Sequence, residues 1–232
     1  MPIYLFAFFL CLHRLADCLP HPMRRVEVRK MKAESLISAA FAPQLTAAYW
    51  FLAIYVAERS LPSALTGLAI SLTFASLLQA AALLSYVKRA RTDFYVRQRE
   101  KRDPVFLISF GFYMAGLVSL VAVKAPTLTT WLMAAYVVNT ALAALINRYL
   151  TKVSIHVWGI SGPSVAVFMA YGPSSIILML VVAALVGYER VYAGAHTSSQ
   201  VALALFLSVI TTACLFAVLA HFNLGFASPR AL

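Results

Sequence analysis

Of the 232 residues, 62% are hydrophobic and only 12% are charged, against roughly 45–50% and about 25% in soluble domains. That excludes an ordinary soluble domain, and several near-uncharged runs reach the roughly 20 residues needed to cross a bilayer. The net charge of +11 is not accompanied by a nucleic-acid motif or by aromatics within the basic loops. Lys and Arg collect in the cytoplasmic loops of membrane proteins, which is the simpler source of the excess.

Residues 1–33 read as an N-terminal arm. Its apolar start is interrupted by His13, Arg14 and Asp17, and it ends in a basic collar of Arg24, Arg25, Arg29, Lys30 and Lys32. Residues 34–221 read as one transmembrane domain, and 222–232 as a tail. The expected spans are about 35–57, closed by Glu58-Arg59, and 63–87, closed by Lys88, Arg89 and Arg91. A polar stretch over 88–104 precedes two spans at 105–123 and 127–147, joined by Lys124-Ala125-Pro126. Two shorter apolar segments, 157–171 and 174–188, follow, broken by Gly172-Pro173-Ser174-Ser175, where proline removes a helical hydrogen bond. The last span is 199–221. The fold class is therefore an all-α polytopic membrane bundle with six or seven transmembrane helices.

Each pair of crossings returns the chain to one side. The collar and the loops 88–104, 148–156 and 189–198 then share a face that carries fifteen of the nineteen Lys and Arg. Positive residues mark the cytoplasmic side, so these loops are expected to face the cytoplasm of a cell-membrane protein. The three cysteines, Cys11, Cys18 and Cys214, have neither metal spacing nor a disulfide framework.

Three polar sites sit at the mouths of apolar segments on that face. They are the run Arg97–Pro104, the segment Lys152-Val153-Ser154-Ile155-His156, and Glu189-Arg190 followed by His196 and Gln200. Phosphoryl chemistry requires fixed cations around the transferring group. It also requires a nucleophile and a proton donor, and two imidazoles can supply both near neutral pH. Arg97, Lys101, Arg102, Lys152 and Arg190 offer the cations; His156 and His196 offer the imidazoles. Singly, each of these residues is an ordinary membrane-interface anchor. Together, in same-face loops, they read as a candidate phosphate site. Two histidines without a carboxylate pair make a poor metal set.

These residues also carry a resemblance. Arg190-x5-His196-x3-Gln200 resembles the third motif of the type-2 phosphatidic acid phosphatase family, Ser-Arg-x5-His-x3-Asp. Ser154-Ile155-His156 is similar to its second motif, Pro-Ser-Gly-His, and the run ending Arg102-Asp103-Pro104 to its first, Lys-x6-Arg-Pro. The resemblance covers about residues 90–215. It implies a lipid-phosphatase-like core over about 90–221 and hydrolysis of a lipid-linked phosphate or diphosphate through a phosphohistidine. By the same resemblance His196 is the nucleophile, His156 protonates the leaving group, and Arg190 and Ser154 hold phosphate. Arg97, Lys101, Arg102 and Lys152 remain the candidate cations beside them.

The sequence departs from the family at three places. Gln200 replaces the Asp that orients the nucleophile, although its amide oxygen can still accept the Nδ1 proton. Glu189 replaces the motif serine, and the first motif loses its spacing. A non-catalytic member that binds or translocates lipid phosphates is the alternative these departures allow. The expected partners are a lipid phosphate and the bilayer, with no nucleic acid, no metal and no organic cofactor; a homo-oligomer is left open.

Overall fold

The computed structural model describes residues 36–92, 96 and 98–224. The arm over 1–33, its collar, Arg97 and most of the tail lie outside the described residues. What is described is an all-α bundle with five helices long and apolar enough to cross a membrane.

The expected first span, 35–57, is two helices, α1 (Leu36–Ala40) and α2 (Pro43–Glu58). Pro43 causes the break, because the residue before a proline is pushed out of the helical region; Ala42 has ψ 142°. The sixteen residues of α2 rise only about 24 Å, short of the roughly 30 Å hydrocarbon core. The second span runs as α3 (Ala64–Leu72), one π turn (Thr73–Leu77) and α4 (Leu78–Ala90). A Cβ on Gly116 would lie 2.9 Å from the Cβ of Phe74 in that turn, so the two helices meet there only because position 116 is glycine. Above this contact Ser109 Oγ donates to Gln79 Oε1 at 2.8 Å, and Gln79 Nε2 donates back to the Ser109 carbonyl at 3.2 Å.

A 3-10 turn (Arg99–Arg102) leads into α5 (Asp103–Ala122), which forms a hairpin with α6 (Thr127–Tyr149). The segment expected as one apolar run at 157–171 is again two helices, α7 (Ile155–Ser161) and α8 (Ser164–Tyr171), parted at Gly162-Pro163. The long α9 (Ser174–Tyr192) and α10 (Ser198–His221) complete the chain. The five helices long and apolar enough to cross are α3–α4 together, α5 with its leading turn, α6, α9 and α10. Among the described residues, the other expected spans are the shorter α2 and the α7–α8 pair.

Two clusters form the interior. One gathers Phe51, Ile54, Leu120, Leu132, Met133 and Tyr136; the other gathers Phe106, Ile146, Val153, Val157, Ile160 and Val186. Outward, large residues such as Leu107, Val118, Ile177, Leu178 and Ile210 stand exposed. So much exposed apolar surface suits hydrocarbon rather than water. Lipid does not drive helices together hydrophobically, so close packing at small residues does that work. Gly187 is one such place: a Cβ there would lie 2.8 Å from Val201 Cγ1, which sets how closely α9 approaches α10 just before both reach the site.

Candidate phosphate site

The loops that end α4, α6 and α9 converge at one end of the bundle and are tied together by hydrogen bonds. Arg102 donates from Nε to the Val96 carbonyl at 2.8 Å and from Nη1 to the Val153 carbonyl at 2.9 Å. Lys152 Nζ donates to the Ala195 carbonyl at 2.8 Å. Arg99 donates to the Asn147 carbonyl. Cations thus tie the loops together through main-chain oxygens.

His196 is placed by a tight reversal after α9. The Ala195 and His196 amides both donate to the Arg190 carbonyl, at 3.0 and 3.2 Å, and Gly194 takes φ +66° to allow it. Thr197 then caps α10 in a reciprocal box with Gln200: Gln200 N donates to Thr197 Oγ1 at 3.3 Å, and Thr197 N donates to Gln200 Oε1 at 3.2 Å. The same Oε1 lies 3.2 Å from His196 Nδ1.

That geometry fixes the tautomer. A backbone amide can only donate, so the Gln200 atom facing Thr197 is the oxygen. An amide oxygen can only accept, so His196 Nδ1 carries the proton. The lone pair is left on Nε2. Gln200 Nε2 in turn donates to Thr151 Oγ1 at 3.2 Å, which anchors the amide from the loop that carries Lys152. Burial, then the charges of Lys152 and Arg102, push His196 down to about 3 against the opposing Gln200 hydrogen bond. The imidazole is therefore neutral near neutral pH.

His156 sits in the first turn of α7 and donates a ring N–H to the Ser38 carbonyl on α1. Arg190, in the last turn of α9, is only 2% exposed. His156, His196, Arg102 and Arg190 all line one cavity of about 140 Å³. From them the cavity continues between the helices along the Ala143, Thr140, Asn139, Tyr136 and Leu132 face of α6. The eleven-residue rise from Leu132 to Ala143 spans roughly 16 Å. Midway, Trp158 Nε1 donates to Asn139 Oδ1 at 2.8 Å and Asn139 Nδ2 donates to Thr212 Oγ1 at 2.9 Å. Near its floor the Tyr136 hydroxyl is buried with no hydrogen-bond partner among the described residues.

The structure thus brings His196, His156, Arg190 and Arg102 to one void, with Gln200 behind His196 and Lys152 beside the same loop. It does not bring the other two described candidates there. Ser154 is fully buried and does not line the cavity. Lys101 is half-buried away from it, its carbonyl taking the Tyr86 hydroxyl at 2.8 Å. Among the described residues no group of three or more His, Cys, Asp or Glu stands close enough to hold a metal ion.

Sequence reasoning missed Ser38, Thr151 and Asn139. Asn139 carried a signal, since a polar amide inside an apolar span marks a helix contact or a cavity. Ser38 carried none. No family model matches the sequence, and no curated protein or solved structure matches the chain.

Proposed function

We propose that this protein is an integral membrane phosphatase that hydrolyses a lipid-linked phosphate or diphosphate through a phosphohistidine. It would be a divergent relative of the type-2 phosphatidic acid phosphatases that its motifs resemble. The observation that carries this reading is one cavity with two histidines and two buried arginines at its mouth and an apolar channel behind them. Charge at one end and hydrocarbon at the other is the polarity of a lipid phosphate.

In this mechanism Arg102 and Arg190 hold the phosphoryl oxygens and neutralise the charge that grows on them. His196 Nε2 attacks phosphorus in line, and the bond from phosphorus to the lipid oxygen breaks. A substrate bound as the phosphate monoanion gives its proton to the second ring nitrogen of His156, whose other nitrogen is held by the Ser38 carbonyl. His156 passes that proton to the leaving oxygen. Water then attacks the phosphohistidine, its proton returning to His156, and phosphate leaves with Nε2 restored. The alkyl chain lies in the roughly 16 Å channel along α6.

The second reading, a protein that binds or moves lipid phosphates without cleaving them, is favoured by Gln200 and by Glu189, a carboxylate beside Arg190. A metal-free assay of phosphate release separates the two. Alkyl and isoprenyl phosphates of graded length, with a diacyl phosphatidate, are the panel. Release from single-chain substrates supports catalysis; phosphate binding without release from any member supports the second reading. We place the site loops on the cytoplasmic side, from the basic excess on that face. A cysteine at Ser199 should then resist an impermeant thiol reagent in intact cells while one at Lys124, in the opposite hairpin, reacts.

A further inference from the structure

A lipid chain that enters between helices needs somewhere to end, and the cavity behind the two histidines has an end. Its deepest lining residues are Gln79 on α4, Tyr113 on α5 and Leu132 on α6. From the charged mouth, Arg102 to Tyr113 and Ala143 to Leu132 each cover eleven positions, so both helices give a depth of roughly 16 Å. Just beyond, the helices close. A Cβ on Gly116 would lie 2.9 Å from Phe74 Cβ and 3.1 Å from Met133 Cε, so the π turn, α5 and α6 meet there in direct contact. One turn from Leu132, Tyr136 packs against Phe51 of α2 and against Tyr113, with ring centroids 5.7 and 5.1 Å apart. Polar residues along the wall answer one another: Gln79 pairs with Ser109, and Asn139 with Trp158 and Thr212. An aliphatic chain passing them breaks no hydrogen bond.

We infer that Tyr136 and Leu132 form the floor of a blind channel that selects a lipid phosphate with one chain of limited length. The inference rests on reading the cavity as the site of a lipid phosphate, and it adds the length. With carbon–carbon bonds of about 1.5 Å in a zigzag, roughly 16 Å holds about a dozen carbons. The volume agrees. At roughly 10–15 Å³ for each water-sized group, a cavity of about 140 Å³ takes about ten such groups, which is one chain rather than two. A close-packed interior does not admit extra methylenes without strain, so a longer chain meets a stop. The Tyr136 hydroxyl has no hydrogen-bond partner among the described residues. Its ring, rather than a hydrogen bond, therefore sets that stop.

The test uses the full chain in lipid nanodiscs with n-alkyl phosphates from butyl to octadecyl. Binding is read from the rise in unfolding temperature, and phosphate release is read separately. Partition into the bilayer grows with chain length for every variant, so each variant is compared with the parent at the same length. Tyr136→Leu and Leu132→Ala deepen the floor and should favour tetradecyl and longer chains by about tenfold, the overpacking relieved. They should leave butyl to octyl unchanged. Ala135→Leu, which narrows the channel beside Tyr136, should lose about tenfold from decyl upward. Tyr136→Phe keeps the ring and should keep the parental profile. Two deepening variants and one filling variant let the test survive the misfolding of any one. Ratios that stay level across all lengths overturn the inference and leave the phosphatase reading intact. So does a Tyr136→Phe profile that shifts as Tyr136→Leu does. If the length break moves as described in binding while no member releases phosphate, the floor stands and the catalytic reading falls. A parent that binds no alkyl phosphate overturns both.

Discussion

The two ends of the bundle treat buried charge in opposite ways. At the end away from the cavity, Glu58 closes on the start of α6. It accepts from Leu128 N at 2.9 Å, Thr129 N at 3.1 Å and Thr129 Oγ1 at 2.6 Å. An anion there satisfies the donors that a helix start leaves open and complements its dipole. At the other end Arg102 and Arg190 line a void, Lys152 sits on the adjoining loop, and Glu189 Oε2 lies 3.9 Å from Arg190 Nη1 with the Ser38 hydroxyl bonded to both. A charge matched by its surroundings stabilises the fold. On the proposed reading, the arginines that line the cavity serve instead to bind the anion of the substrate.

Substitution at each end should separate these roles. His196→Ala is expected to abolish phosphate release from every substrate while leaving thermal unfolding in detergent near that of the parent. Glu58→Ala should do the reverse. It strips the partners from two amides and a hydroxyl, costing about 1–3 kcal/mol of stability, with turnover per folded molecule unchanged. Loss of turnover in Glu58→Ala at parental stability would erase the distinction.

Within the cavity end, the two histidines should differ. On the proposed mechanism His156→Ala removes the group that protonates the leaving oxygen, so release from an alkyl phosphate should fall by about 10²–10⁴-fold. An aryl phosphate, whose leaving oxygen needs less help, should lose far less. Equal losses on both would assign His156 to binding instead.

The smallest effect is expected at Gln200. Because His196 is held down to about 3, protonation that would block attack sets in only as pH falls toward that value, and no acid limb should arise from it near neutrality. Gln200→Asp places a carboxylate at Nδ1, which favours the imidazolium. The acid limb of kcat/KM should move to higher pH and the neutral rate should rise by about fivefold, the gain of a charged over a neutral hydrogen bond. An unchanged profile would mean that the Gln200 oxygen does not control His196.

The helices were legible because hydrocarbon demands long apolar runs, and the observed ends of α6, α9 and α10 lie within a few residues of those expected. Pro43 and Pro163 hid their breaks inside apolar runs, where hydropathy alone reads continuity. In the site, the grouping of His156, Arg190 and His196 followed from their shared place at helix mouths, and the Gln200–His196 contact from one-turn spacing. Which cation of the first basic run faces the cavity did not follow. Arg102 does so because its guanidinium is held by the Val96 and Val153 carbonyls, a tertiary matter that spacing does not record. Ser38 was invisible for the same reason: its partner Glu189 lies 151 positions away.

The central claim is that His196 forms a covalent bond to phosphorus inside this cation-lined cavity. The most direct measurement is a rapid quench of the protein with a radiolabelled alkyl phosphate, labelled at phosphorus, followed by peptide mapping under alkaline conditions that preserve phosphohistidine. The account predicts acid-labile label on the peptide that carries His196, present in the parent, increased in His156→Ala with an aryl phosphate, and absent in His196→Ala. Phosphate release from the parent with no labelled intermediate, or with the label on another residue, would contradict it.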